Sequence, residues 1–115
     1  MTRISPNYPV RVNLARALKE SAKQYLSQNR RETALEFLTQ SWEENNKDVE
    51  TAWLLGQTAL EGKRPDQAAT WLERAIALDP ADARYLSALS TAYRELGDMP
   101  KSEMFRQKAL DTSEK

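Results

Sequence analysis

The sequence predicts an all-α protein, an α-solenoid built from three helical hairpins. Apolar residues recur at spacings of three and four through six segments, and no segment alternates convincingly as a β-strand. The same pattern returns after 34 residues. A chain of 115 residues with 40% hydrophobic and 30% charged residues fits one helical domain that folds unaided.

The first helix is predicted from Asn13, which is suited to cap it. Its apolar stripe consists of Leu14, Leu18, Ala22, Tyr25 and Leu26. A second stripe, closed by Asn45-Asn46, consists of Ala34, Leu35, Leu38 and Trp42. These two helices form the first predicted hairpin.

Four more helices follow, each with its own start and stop residues. The predicted starts are Asp48, Pro65, Asp82 and Asp98, and the predicted stops of the third, fourth and fifth helices are Gly62, Asp79-Pro80 and Gly97. Asp accepts hydrogen bonds from the free N–H groups of a first turn, and Pro lacks only a donor that is unpaired there anyway. The six helices therefore need only tight turns between them.

The 34-residue period is visible as columns of equivalent residues. An aromatic column holds Phe37, Trp71 and Phe105, and small columns hold Ala34, Ala68 and Ser102, then Ser41, Ala75 and Ala109, then Ala22, Gly56 and Ser90. Small side chains let paired helices approach closely, and the rings fill the volume between them. In the last copy Glu103 and Arg106 replace apolar residues, as a final helix facing water requires.

This 34-residue helix-turn-helix period resembles the tetratricopeptide repeat family. The middle copy carries the resemblance best, through Leu55-Gly56, Ala59, Ala68, Leu72, Ala75 and Pro80, although Ala52 stands where the family usually has tryptophan. We expect one domain over residues 13–115, with repeats at 15–48, 49–82 and 83–115.

Residues 1–12 are expected to form an extended lead-in to this domain. Arg3, Pro6, Pro9 and Arg11 interrupt the apolar run that a signal peptide needs. No later stretch approaches the ~20 apolar residues of a membrane span. The expected location is therefore cytoplasmic.

Composition excludes several kinds of catalytic and metal site. The chain has no cysteine and no histidine, so it lacks thiolate nucleophiles and the commonest general base and metal ligand. The acidic pairs Glu43-Glu44 and Asp79/Asp82 fall at helix ends, where carboxylates usually act as caps or solvated surface. We expect no enzymatic activity, no metal and no cofactor.

The resemblance implies that the first helix of each repeat lines a concave groove that binds another protein. The side chains predicted to line it are Arg16, Lys19, Lys23, Trp53, Gln57, Arg84, Thr91 and Arg94. Such a groove is basic at both ends and aromatic in the middle. It suits a partner segment with acidic groups and one large apolar residue.

Alternative interpretations stay open at this point. Trp53 equally suits packing between helices, and the basic residues equally suit a solvated face. Lys19 and Arg84 match charges of the clamp with which co-chaperones of this family grip an acidic chaperone tail, but Lys23, Leu54 and Ala88 do not match the rest of it. The chain is accordingly interpreted as an adaptor, assembly factor or chaperone.

Two further functions remain as alternatives. One is a structural subunit that self-associates through its flanks. The other, more remote, is RNA binding through basic residues with Tyr25 as a stacking ring. The chain carries 17 basic and 17 acidic residues and is therefore neutral, which argues against a nucleic-acid partner.

Overall fold

The structure, a computed structural model, describes residues 8–113 as six α-helices. In chain order these are α1 Tyr8–Ser27, α2 Arg31–Glu44, α3 Val49–Glu61, α4 Pro65–Leu78, α5 Ala83–Glu95 and α6 Met99–Ser113. Between residues 8 and 113 there is no β-strand. The predicted number and class of elements are confirmed, whereas the repeat boundaries stay predictions.

The start of α1 corrects the expected extended lead-in. The helix begins at Tyr8, so the expectation is wrong for residues 8–12, and residues 1–7 lie outside the described part. Pro9 is compatible with this start because the first helical turn has no intrahelical partner for the N–H that proline lacks. Asn13 consequently lies inside the helix, where its Oδ1 accepts a 2.7 Å hydrogen bond from Arg16 instead of capping the first turn.

The predicted acidic caps are confirmed at three helix starts. The Asp82 carboxylate accepts from the backbone N–H of Arg84 at 2.9 Å. Asp48 accepts in the same way from Glu50 at 3.2 Å, and Asp98 from Lys101 at 3.2 Å. Each bond satisfies a donor that the helix itself leaves unpaired.

The turns after α1, α3 and α5 repeat one backbone conformation at the 34-residue period. Asn29, Lys63 and Gly97 all have positive φ, at 63°, 63° and 85°. In each turn the next N–H bonds back to the carbonyl five residues earlier, as in Arg64 to Ala59 at 2.9 Å. This is the hydrogen bond of a Schellman C-cap. The period is therefore present in the backbone as well as in the side chains.

The chain divides into two compact units, the first ending at Thr51 and the second beginning at Ala52. In the first unit α1 and α2 pack through small and aliphatic side chains. The buried residues of this pair include Ala15, Ala22, Ala34, Leu38 and Ser41. The Ser41 hydroxyl donates to the Ala15 carbonyl at 2.7 Å, which satisfies a polar group that would otherwise be buried unpaired.

The second unit has a continuous core between its helices. It consists of Ala59, Ala68, Ala69, Leu72, Leu89 and Ala92, with Trp53, Leu60, Ile76, Ala88, Tyr93 and Phe105 packed against it. The helices α3 and α4 lie close together at Gly56, where an added Cβ atom would stand 2.7 Å from the Leu72 side chain. Of the small and aromatic columns in the sequence, Ala68 belongs to this core and Phe105 packs against it.

The third repeat ends with a polar helix surface, as predicted. Glu103 and Arg106 are exposed on α6 and pair with each other at 2.7 Å. The opposite side of α6 is held to α5 by Ser90, whose hydroxyl donates to the buried Ser102 carbonyl at 2.7 Å.

Candidate functional site

An open cleft in the second unit brings together four of the predicted groove residues. Its volume is about 420 Å³, and it lies between α3 and α5. The lining residues are Trp53, Gln57, Leu60, Glu61, Arg84, Ser87, Ala88 and Thr91. The size is within the range of known ligand sites, and the mixture of apolar and hydrogen-bonding side chains is typical of them. We call it the Trp53 cleft.

Trp53 both packs against the core and borders the cleft. Its ring centroid lies 5.0 Å from that of the buried Tyr85, with the planes tilted by 48°. Such tilted aromatic contacts are favourable. Since the indole is only partly buried, one part of it remains available to a ligand. The packing interpretation and the binding interpretation therefore apply to the same side chain.

Arg84 places a guanidinium group at the same cleft. It binds Asp82 through two hydrogen bonds, from Nε at 3.0 Å and from Nη2 at 2.7 Å, and lies 5.9 Å from the Trp53 ring centroid. The hydrogen bond from Arg84 lowers the pKa of Asp82, and burial only partly offsets this. The Arg84 side chain nevertheless remains 66% exposed. It is accessible to an acidic group of a ligand.

The remaining polar residues of the cleft offer neutral hydrogen-bonding groups. Gln57 is partly buried and carries both a donor and an acceptor. The Thr91 hydroxyl donates to the Ser87 carbonyl at 3.3 Å, within α5. Arg94 also lies on α5 and is exposed, but it is not one of the lining residues.

The first unit holds the other three predicted residues, and two of them are ion-paired. Lys19 Nζ lies 2.8 Å from Asp48 and 2.8 Å from Glu50. Lys23 Nζ lies 2.9 Å from Glu50 and 3.4 Å from Glu20. The predicted basic character is therefore wrong for Lys19 and Lys23, because carboxylates of the chain itself neutralise both ammonium groups.

The pKa shifts agree with this pairing. Burial lowers the pKa of Lys19, but hydrogen bonds to Asp48 and Glu50 outweigh it and raise the pKa above 10.5. Hydrogen bonds from Lys19 and then Lys23 lower the pKa of Glu50 below 4.5. Lys19 and Glu50 are therefore both charged at neutral pH.

Arg16, the third predicted residue in this unit, is exposed and donates to Asn13 on the same helix. The predicted surface joining Arg16, Lys19 and Lys23 to the cleft residues stays a prediction.

The sequence analysis missed the carboxylates that hold the lysines, although the period contains a signal for them. One period after Lys19 and Lys23 come Trp53 and Gln57, and one period after Glu50 comes Arg84. The contact between Lys19 and Glu50 is thus equivalent to the contact between Trp53 and Arg84. This equivalence can be used only once the contact between Trp53 and Arg84 is known from the structure.

The acidic pairs behave as structural residues. Glu44 forms an ion pair with Arg11 at 3.1 Å, and Asp82 caps the start of α5. Within residues 8–113 no group of three or more acidic side chains is placed to hold a metal ion. None of the helices in this part is both long and apolar enough to span a membrane.

Residues 25–92, more than half of the sequence, match a tetratricopeptide repeat family. The chain belongs to the tetratricopeptide repeat family. The family generally provides scaffolds for protein–protein interaction, and this chain is a protein-interaction module of that kind. No curated protein matches the sequence.

Solved structures of tetratricopeptide repeat proteins share the fold. The second TPR of Spaghetti (RPAP3), bound to HSP90 peptide SRMEEVD, has a TM-score of 0.85 at 16% identity, covering 92% of this chain and 97% of that one. The Arabidopsis OM64 TPR domain has a TM-score of 0.83 at 18% identity, covering 89% and 84%. These likenesses confirm the all-α helical-repeat fold.

MamA is a third similar structure. Its TM-score is 0.84 at 20% identity, over 87% of this chain. This chain spans only 58% of the MamA chain.

Proposed function

We propose that this protein binds a segment of a partner protein in the Trp53 cleft. The proposal rests on one observation: the Trp53 cleft is lined by four of the predicted groove residues, Trp53, Gln57, Arg84 and Thr91. The ligand of the Spaghetti domain, an HSP90 peptide, supports a peptide as the class of ligand. The activity is binding alone, without catalysis.

The chemistry of the cleft indicates what such a segment contains. Trp53, Leu60 and Ala88 offer apolar surface for one large apolar side chain. Gln57 offers an amide for the peptide backbone, and the exposed guanidinium of Arg84 suits a neighbouring acidic group. Arg94 on α5 and Arg16 in the first unit stay predicted contributors, whereas Lys19 and Lys23, also predicted, are paired with carboxylates of the chain itself.

The cellular role that fits is an adaptor, assembly factor or chaperone in the cytoplasm. Each of these uses a groove to hold part of another protein. RNA binding stays the remote alternative. Tyr25, its proposed stacking ring, contacts Phe37 at 5.1 Å between centroids and has the Arg30 guanidinium 5.1 Å from its centroid.

Peptide display on the immobilised protein tests the proposal. We expect selected peptides to share a large apolar residue with an acidic neighbour. Ser87→Tyr should abolish their binding in fluorescence anisotropy, because the new ring fills the cleft from an exposed position on α5. Thr70→Tyr is the matched control, since Thr70 is exposed on α4 and does not line the cleft.

Trp53→Ala should weaken the same peptides by about 2 kcal/mol or more if the ring is a binding hot spot. This variant also removes core packing, so Ser87→Tyr is the cleaner test. Selected peptides that bind Ser87→Tyr as tightly as the native protein would exclude the cleft as the site. Failure to select any peptide would also count against it.

A structural subunit is the second candidate, favoured by another cleft of about 360 Å³ between α5 and α6. There Leu110 is 47% exposed beside Ala109, an apolar surface that a second copy would cover. Light scattering of the native protein and Leu110→Glu distinguishes this candidate. An oligomer that dissociates in the variant supports self-association, and a monomer in both cases contradicts it.

A further inference from the structure

Lys19 and Lys23 hold the Glu50 carboxylate between them. Its Oε1 lies 2.8 Å from the Lys19 ammonium group, and its Oε2 lies 2.9 Å from that of Lys23. Each carboxylate oxygen thus has its own cation. Two ammonium groups would hold the carboxylate of a ligand by the same charge-assisted hydrogen bonds.

Glu50 is well placed to keep this position. It lies in the first turn of α3, where a negative charge is favourable, and its backbone N–H is bound by Asp48. Because Glu50 belongs to the same chain, it competes at high effective concentration against any carboxylate in solution. Glu20 and Asp48 also contact the lysines, so three carboxylates surround two ammonium groups.

The equivalent position in the next repeat differs. Arg84 stands where Glu50 would be expected, opposite Trp53 and Gln57, and that position has an open cleft. An acidic residue opposite a lysine pair is therefore particular to the first repeat. It is not a requirement of the helix packing.

We propose that Lys19 and Lys23 form a carboxylate-binding site masked by Glu50, which thereby excludes acidic partner segments from the first unit. Glu50 acts as a specificity-determining residue. The inference goes beyond the function proposed above, because it concerns residues of the other unit and does not depend on the Trp53 cleft.

The test uses fluorescein-labelled hexaglutamate as the probe, with anisotropy at low salt. Glu50→Gln should bind it about tenfold tighter than the native protein, because Lys23 then lacks its shortest ion pair and Lys19 loses one of its two. Glu20→Gln is the matched control. It changes the net charge equally but removes only the 3.4 Å contact to Lys23, so its affinity should stay close to native.

Two further variants locate the site. Adding Lys19→Gln to Glu50→Gln should return the affinity to the native value, whereas adding Ser87→Tyr should leave the gain intact. The proposal is overturned if native protein and Glu50→Gln bind equally, if Glu20→Gln gains as much, or if the gain survives Lys19→Gln.

Circular dichroism checks that Glu50→Gln is folded. If it is not, Glu50→Asp replaces it, because a side chain shorter by one methylene cannot reach both ammonium groups at their present positions. That variant keeps the acidic first turn of α3. It should also bind the probe more tightly than the native protein, and equal binding would overturn the proposal.

Discussion

Gly56 lies so close to Leu72 that a Cβ atom at position 56 would stand 2.7 Å from both Cγ and Cδ2 of the leucine. Leu72 is fully buried, so its side chain can give way only by displacing its neighbours. Gly56→Ala should therefore destabilise the protein by about 1–2 kcal/mol, since overpacking exceeds the gain in helix propensity of about 1 kcal/mol. Urea unfolding measures the difference.

Gly62→Ala serves as the control for this prediction. A Cβ there would approach the Thr58 carbonyl only to 3.4 Å, an ordinary contact, so stability should change little. Equal effects of the two substitutions would show that the approach of Gly56 to Leu72 does not limit the packing of α3 on α4.

Lys63 adopts a left-handed backbone conformation that favours glycine. Its φ of 63° is equivalent by the period to the φ of 85° at Gly97. Lys63→Gly should stabilise the protein by about 0.5–1 kcal/mol, and Gly97→Ala should destabilise it by about 1 kcal/mol. Thermal unfolding of both variants checks the pair, and changes of the same sign in both would contradict the prediction.

Tyr93 should ionise unusually late in alkali. Its hydroxyl donates to Glu73 at 2.7 Å, and this bond together with burial raises the pKa of Tyr93 to about 12 from 10.0. The bond therefore stabilises the fold below pH 10.0, and this contribution is lost as the pH rises through about 12.

Tyrosinate absorbance follows this titration, and Tyr93→Phe identifies which of the four tyrosines is responsible. Glu73→Gln removes the charge that opposes ionisation, so the pKa of Tyr93 should fall towards 10.0. An unchanged titration in Glu73→Gln would refute the assigned cause.

Acid should weaken the ion pairs of Glu50 only at pH values below the ordinary pKa of a glutamate. The pKa of Glu50 is lower in the folded state than its ordinary value of 4.5. The stability that its ion pairs contribute is therefore complete above pH 4.5 and is lost as the pH falls through the pKa of the folded state. Urea unfolding between about pH 6 and about pH 3 should show a smaller acid loss for Glu50→Gln than for the native protein. Identical acid losses would contradict this.

The sequence was sufficient for most of the fold because core contacts recur with the period. Phe37, Trp71 and Phe105 needed no coordinates to be recognised as equivalent. The start of α1 was not predictable in this way, since proline at position 9 is compatible with either an extended segment or a first helical turn.

The candidate site was only partly predictable. Trp53 and Arg84 were identified by their repeat positions, and they do line one cleft. The charge at Lys19 was misjudged, because ion pairing depends on distances between side chains far apart in the sequence. Lys19→Glu is accordingly a poor probe of binding, since it would place another carboxylate beside Asp48 and Glu50.

The double contact of Trp53 limits how this protein can evolve. A substitution at Trp53 alters the core and the cleft together, so selection for a new partner would act against selection for stability. Ser87 and Thr91 border the same cleft without belonging to the core. New binding preferences should therefore arise first at these two positions, while the tryptophan persists across divergent descendants.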